Sequence, residues 1–121
     1  MLKKRIAVAC AALTVPAFVP AAFTQAQSSL PKSKLVKVRD NFFNPDSLTV
    51  AKSTKMIWRW PSSPGDVHDV YLTRRPHGVK RFRSELAASD YSFARRLKKS
   101  GKYTMVCTIH AEMTMTVKVR R

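Results

Sequence analysis

Three side chains that can bind a soft metal ion lie close together near the end of the chain. Cys107, His110 and Met113 fall within seven residues, and His68 stands upstream, just after a loop rich in Pro. Thiolate and thioether are soft donors that stabilise Cu(I), whereas imidazole also binds Cu(II). Two histidines and one cysteine in a trigonal arrangement, with a weak axial methionine, form the type 1 copper site that transfers electrons. The donors therefore predict one copper ion held by His68, Cys107, His110 and Met113.

Two methionines compete for the axial position. Met113 stands three residues after His110, whereas Met115 gives a longer spacing. Met115, Val117 and Val119 are alternate residues of one predicted strand, so their side chains point to the same side. This favours a core position for Met115. Met113 is therefore the predicted axial ligand, and Met115 is the alternative.

The remaining histidine, His77, is not expected to bind metal. It lies in a basic segment with Pro and Gly and has no other donor spaced around it. Each predicted ligand also has a plain structural alternative, since an isolated Cys is often a small buried hydrophobe. The combination of donors in one short loop favours the metal site.

The first 26 residues have the layout of a secretory signal peptide. A positive cluster at residues 3–5 precedes an uncharged apolar run at residues 6–19. That run is shorter than the ~20 residues of a spanning helix, and a proline interrupts it, so a retained membrane anchor is the less favoured alternative. We expect residues 1–26 to be removed on export to the periplasm or the exterior. Residues 27–34 would form a flexible lead, and residues 35–121 one copper-binding domain.

Removal of the leader would leave a single cysteine. Cys10 would depart with it, so Cys107 could form no intramolecular disulfide. An oxidising compartment traps a free exposed thiol, so Cys107 must be either buried and inert or held as a metal thiolate. Its neighbours favour the thiolate.

Short segments of alternating polarity fill the domain. We predict strands over residues 34–39, 47–51, 55–60, 67–72, 81–85, 91–97, 102–107 and 114–120. Turn signals separate them, including Asn44-Pro45-Asp46 and the Pro/Gly loop at residues 61–66. No segment has a convincing helical period. The pattern predicts an all-β fold, a Greek-key antiparallel β-sandwich.

The order of the predicted ligands resembles that of the cupredoxins, with one upstream histidine and a C-terminal Cys, His and Met. Further segments are similar to the family's opening strands and to its entry into the metal loop. These are Val36-Lys37-Val38, Phe43-Asn44-Pro45, Leu48-Thr49-Val50, Met56-Ile57-Trp58 and Tyr103-Thr104-Met105-Val106-Cys107. The resemblance covers nearly all of residues 27–121 and is strongest to plastocyanin-like and amicyanin-like proteins. It implies a cupredoxin-like fold and electron transfer through one copper.

Two positions depart from that resemblance. Ser53 stands where the family often has Gly, and Trp60 stands where it often has an Asn that braces the metal loop. The sequence therefore does not assign the bracing hydrogen bonds to the usual Asn. Thr108, directly after the cysteine, is a candidate to make them.

The chain is strongly basic. Its net charge is +16, and +13 would remain after loss of the three cations of the leader. Such a charge suits nucleic acid, an anionic surface or an acidic protein partner, and export argues against nucleic acid. Much of the scattered positive charge is explained by strands whose polar side faces solvent. We expect a monomer with an acidic redox partner protein, and association with an anionic cell surface is an alternative use of the charge.

The site predicts electron transfer rather than an enzyme. Four ligands would occupy the coordination positions of the metal and leave no evident open position for a substrate. A copper carrier or scavenger, using the same four residues for delivery or sequestration, is the alternative function. A basic surface-adhesion module with vestigial ligands is a third interpretation.

Overall fold

The computed structural model describes residues 32–121 as a chain of eight β-strands. The strands are β1 (Ser33–Arg39), β2 (Phe42–Asn44), β3 (Ser47–Ala51), β4 (Thr54–Arg59), β5 (Tyr71–Arg74), β6 (Ser92–Leu97), β7 (Gly101–Val106) and β8 (Thr114–Arg120). The expected signal peptide lies outside the described residues. Ser33 and Lys34, which were assigned to the lead, belong to β1. Within residues 32–121 no helix is long and apolar enough to cross a membrane.

The strands form two four-stranded sheets, which confirms the predicted all-β sandwich. One sheet has the order β2-β1-β4-β6 and the other β3-β8-β7-β5. The pairing is mixed, because β1 with β4 and β3 with β8 run parallel, whereas the other pairs are antiparallel as predicted. The parallel pair β1-β4 arises because the chain leaves the first sheet after β2. It returns at β4 in the direction of β1.

Of the two predicted strands near His68, residues 67–72 form a ladder only at their end, in β5, and residues 81–85 form a single bridge. The segment 67–72 pairs only at His68, opposite Ala87, before β5 begins. The segment 81–85 forms one bridge, between Arg83 and Tyr71. The cause is local, since the Val70 amide donates to the Ser84 hydroxyl at 2.9 Å and so bonds a side chain instead of a ladder partner.

The core lies between the sheets and follows the predicted alternation. Trp58 and Met56 of β4 are fully buried, as are Met105 of β7 and Val117 of β8. The Trp58 Nε1–H donates to the Met115 sulfur at 3.1 Å, so this polar group is paired inside the core.

The strand directions give the sandwich two distinct ends. The ligand end is where β7 stops and β8 starts, and it holds residues 107–113. The far end holds the β3–β4 turn, the β6–β7 turn and the last residues of β8, because β3 runs parallel to β8 and β6 antiparallel to β4. The chain also enters the described domain at the far end, where the Lys55 amide donates to the Lys32 carbonyl.

Candidate metal centre

Three of the four predicted ligands converge at the ligand end. His68 Nδ1 and His110 Nδ1 are 3.1 Å apart, and the Cys107 sulfur lies 3.8 Å from the first and 3.7 Å from the second. The point equidistant from the three atoms is about 2.1 Å from each, close to the ~2.0–2.3 Å bonds of a first-row metal ion to imidazole nitrogen and thiolate sulfur. The triangle therefore fits one copper ion without movement of its corners.

The ligand loop is closed by its own backbone. Cys107 follows β7 directly, and its amide donates to the Met113 carbonyl at 2.9 Å. The Met113 amide in turn donates to the His110 carbonyl at 3.0 Å. Because these bonds tie both ends of the loop together at the start of β8, the positions of Cys107 and His110 are fixed by the sheet.

His68 is held by a bridge and by a carboxylate. Its amide donates to the Ala87 carbonyl and its carbonyl accepts from the Ala87 amide. With Nδ1 turned to the centre, Nε2 carries the proton and donates to Asp40 Oδ1 at 3.2 Å. This hydrogen bond lowers the pKa of the Asp40 carboxyl, and the Asp66 amide lowers it further. A carboxylate on the outer nitrogen fixes the ring and raises its basicity as a ligand.

Asp69 is the brace between the two halves of the site. Its carboxylate is completely buried, and it accepts hydrogen bonds from the Thr108 amide at 2.7 Å and the Thr108 hydroxyl at 2.8 Å. Arg83 Nε donates to it at 2.7 Å. Burial alone would raise the pKa of Asp69, but the Thr108 and Arg83 hydrogen bonds outweigh it and the pKa falls. The residue after His68 is thereby joined to the residue after Cys107.

The brace shows what the sequence did and did not reveal. The expected role of Thr108 as a hydrogen-bond donor is confirmed. Asp69 was missed, although its place directly after His68 was a signal. Asp40 and Arg83 gave no such signal, because only the sheet topology brings them to the site.

The two methionines occupy different surroundings. Both are buried, but the Met115 sulfur accepts the Trp58 indole N–H in the core. Met113 lies in the ligand loop and is bonded through its backbone to Cys107 and His110. Met115 therefore already has a role inside the sandwich, whereas Met113 adjoins the triangle along the chain.

Exposure differs among the histidines. His68 and Cys107 are buried, whereas His110 is partly exposed beside the exposed side chain of Ile109. His77 is exposed in the connection between β5 and β6, and its carbonyl accepts from Lys99 Nζ near the far end. It is not among the His, Cys, Asp and Glu residues of the described chain that cluster around a common centre with His68.

Comparison with solved structures gives the same fold. Solved structures that match include a reduced Trp-to-Tyr variant of amicyanin, at 15% identity and a TM-score of 0.64, covering 77% of this chain and 87% of that one. An oxidised Met-to-Leu variant of amicyanin matches at 16% identity with a TM-score of 0.62, covering 71% and 80%. A copper-containing nitrite reductase from Thermus scotoductus matches at 20% identity with a TM-score of 0.64, covering 76% of this chain but only 23% of the enzyme.

Comparison with curated protein sequences found no match. The sequence model of copper binding proteins of the plastocyanin/azurin family matches residues 33–120. That match spans every strand of the sandwich and all the residues of the triangle. The chain therefore belongs to the plastocyanin/azurin family of copper-binding proteins, the cupredoxins, and His68, Cys107 and His110 could hold its one copper ion.

Proposed function

We propose that this protein is an electron carrier with a single type 1 copper bound by His68, Cys107 and His110, and axially by Met113. The observation that carries the proposal is the triangle of two imidazole nitrogens and one thiol sulfur at 3.1–3.8 Å. Copper bound there would alternate between Cu(I) and Cu(II).

The surroundings of the triangle suit an electron carrier because they resist rearrangement. The ligand loop is closed by backbone hydrogen bonds, His68 is fixed by Asp40, and Thr108 is fixed by Asp69. Such a frame imposes nearly the same ligand positions in both oxidation states, so little reorganises when the electron moves. We do not expect an enzyme, since these four ligands would leave no evident position for a substrate.

The partly exposed His110 is the proposed route for the electron. The other two corners of the triangle are buried, so only this ring offers an edge near solvent. The exposed Ile109 beside it gives a partner an apolar contact. We infer that a redox partner protein docks at the ligand end, and that the protein works as an exported monomer in the periplasm or outside the cell.

An acidic partner would be attracted by the cations at the end of β5 and in the β5–β6 connection. Arg74, Arg75, Lys80 and Arg81 are all exposed, and Arg81 is oriented by hydrogen bonds to the Leu72 and Thr73 carbonyls. Such attraction weakens as salt shortens the screening length to ~8 Å at physiological strength. The rate of electron exchange with an acidic redox protein should therefore fall with salt. A rate that does not change with salt would indicate that this cluster is only a solvated surface and has no role in docking.

Electron self-exchange and copper retention test the function together. In mixtures of the Cu(I) and Cu(II) forms, we expect rapid exchange measured by NMR line broadening, and we expect a competing chelator to remove little copper. The variant His77→Ala is the matched control and should behave as the native protein does. Ready loss of copper with slow exchange would instead indicate a copper carrier or scavenger.

A further inference from the structure

The acidic residues of the chain are confined to one end of the sandwich. All seven lie in the loops and turns of the ligand end, or at the start of a strand that begins there. They are Asp40, Asp46, Asp66, Asp69, Glu85, Asp90 and Glu112. Asp40 and Asp69 contact the ligand loop residues or His68 directly, and the Asp90 amide donates to the Pro61 carbonyl beyond the end of β4.

The far end carries only positive charge. Ten exposed cations lie on its turns and strand ends. They are Lys32, Lys52, Lys55, Arg96, Lys98, Lys99, Lys102, Lys118, Arg120 and Arg121. The charge spans both sheets, since Lys55 and Arg96 belong to the first and Lys102 and Lys118 to the second. The domain is therefore electrostatically polar, with its positive end opposite the metal centre.

Among residues 32–121 no acidic side chain pairs with a cation of the far end. The two ion pairs among the described residues use Asp40 and Asp69, which both lie at the ligand end. Residues 1–31 contain no Asp or Glu, so they cannot supply a counter-charge. Lys102 stands directly opposite Lys118, and Lys55 directly opposite Arg96. Because like charges facing each other across strands are destabilising, the fold tolerates a cost that an external anion would remove.

The shape of this surface favours an extended anion over a small one. Arg96, Lys98 and Lys99 line one pocket. The other cations are spread along the end of the sandwich outside it, so a single phosphate could contact only a few of the ten. A layer of anionic lipid headgroups presents many phosphates at once and attracts basic residues within a Debye length.

We propose that the far end binds the anionic headgroups of a lipid surface and turns the ligand end away from it. The acidic residues around the metal centre are repelled by the same surface, so the charge separation fixes the orientation as well as the contact. The inference does not depend on electron transfer, because none of the charged residues that it uses is a proposed metal ligand and it applies equally to the metal-free chain.

Vesicle sedimentation tests the proposal with the full chain. We compare phosphatidylcholine vesicles with vesicles that also contain phosphatidylglycerol, at low and at physiological salt. Binding should be tighter to the vesicles that contain the anionic lipid, and this difference should shrink with salt. The triple variant Lys98→Gln, Lys102→Gln, Lys118→Gln should lose about five-fold in partition coefficient for each charge removed. Residues 1–31 are the same in every protein, so their own affinity for lipid cancels in the comparison.

A matched variant at the ligand end is the control. The control is a triple variant that removes the same charge from three exposed residues, Lys37→Gln, Arg39→Gln, Arg59→Gln. It also removes a like-charged pair, because Lys37 and Arg59 stand opposite each other in neighbouring strands. At physiological salt it should change the partition coefficient by less than about two-fold, because the screening length is then only ~8 Å and these residues lie towards the opposite end of their strands. Equal losses in both variants, no binding of the native chain to anionic vesicles, or binding to soluble polyglutamate alone would each overturn the proposal.

Discussion

At the scale of single residues, the metal centre depends on which atom of each side chain faces the centre. Both histidines present Nδ1, and His68 is committed to this orientation because Nε2 is hydrogen bonded to Asp40. The thiol of Cys107 completes the triangle from the end of β7. The His68 ring is thus oriented by a neighbour outside the triangle, which is how outer contacts tune a metal site.

The axial ligand gives a prediction at this scale. Met113→Leu should raise the reduction potential and alter the copper spectrum, because loss of the thioether removes a weak donor that supports Cu(II). Met115→Leu should leave the potential unchanged and lower the free energy of unfolding by about 1 kcal/mol, since Trp58 Nε1 loses its acceptor. Cyclic voltammetry and denaturant unfolding of both variants measure the two effects. A shifted potential in Met115→Leu alone would assign the axial position to Met115.

The ligand types were visible in the sequence, but their support was not. A thiol, an imidazole and a thioether within seven residues predict a copper loop from chemistry alone. Asp40 reaches His68 only because β1 ends at the ligand end, a consequence of its parallel pairing with β4. Alternation indicates that residues face a core, but it does not specify which strands are neighbours. The antiparallel prediction was therefore incomplete.

At the scale of elements, the site joins three segments that the chain separates. Asp69 stands before β5, Arg83 in the β5–β6 connection and Thr108 in the ligand loop, and they meet in one hydrogen-bonded network. Arg83 Nη2 also donates to the Thr108 hydroxyl at 2.9 Å. Isolated backbone bonds join residues 67–72 to residues 81–85, from the Leu72 amide to the Phe82 carbonyl and from the Ser84 amide to the Val70 carbonyl. The side-chain network adds to these bonds where no regular ladder forms.

This network gives the element-scale prediction. Asp69→Ala should lower the free energy of unfolding of the metal-free protein by about 1–3 kcal/mol, because the Thr108 amide and Arg83 lose their buried acceptor. Asp69→Asn should cost less, since an amide oxygen can still accept from the Thr108 amide. Denaturant unfolding provides the measurement.

Asp46→Ala is the control for that series, because its side chain is exposed and only its backbone carbonyl is bonded, to the Thr116 amide. It should stay within about 0.5 kcal/mol of the native protein. If Asp69→Ala were as stable as Asp46→Ala, the network would not be a brace.

At the scale of the whole molecule, the length of the strands separates the candidate metal centre from the basic far end. The metal centre and all the acidic residues lie at the ligand end, and the strongest positive charge lies at the far end. A protein held by its far end would keep His110 accessible to a soluble redox partner. The composition alone revealed the net charge of +16. Its separation into two ends depends on strand direction and could not be read from the sequence.

Titration of the native protein with Cu(II) tests the central claim most directly. One equivalent of copper should produce an intense visible absorption from charge transfer between the Cys107 thiolate and Cu(II), and further additions should not increase it. Cys107→Ser should abolish the band, and His77→Ala should retain it. A colourless copper complex of the native protein, or a band that persists in Cys107→Ser, would contradict the proposed type 1 copper centre.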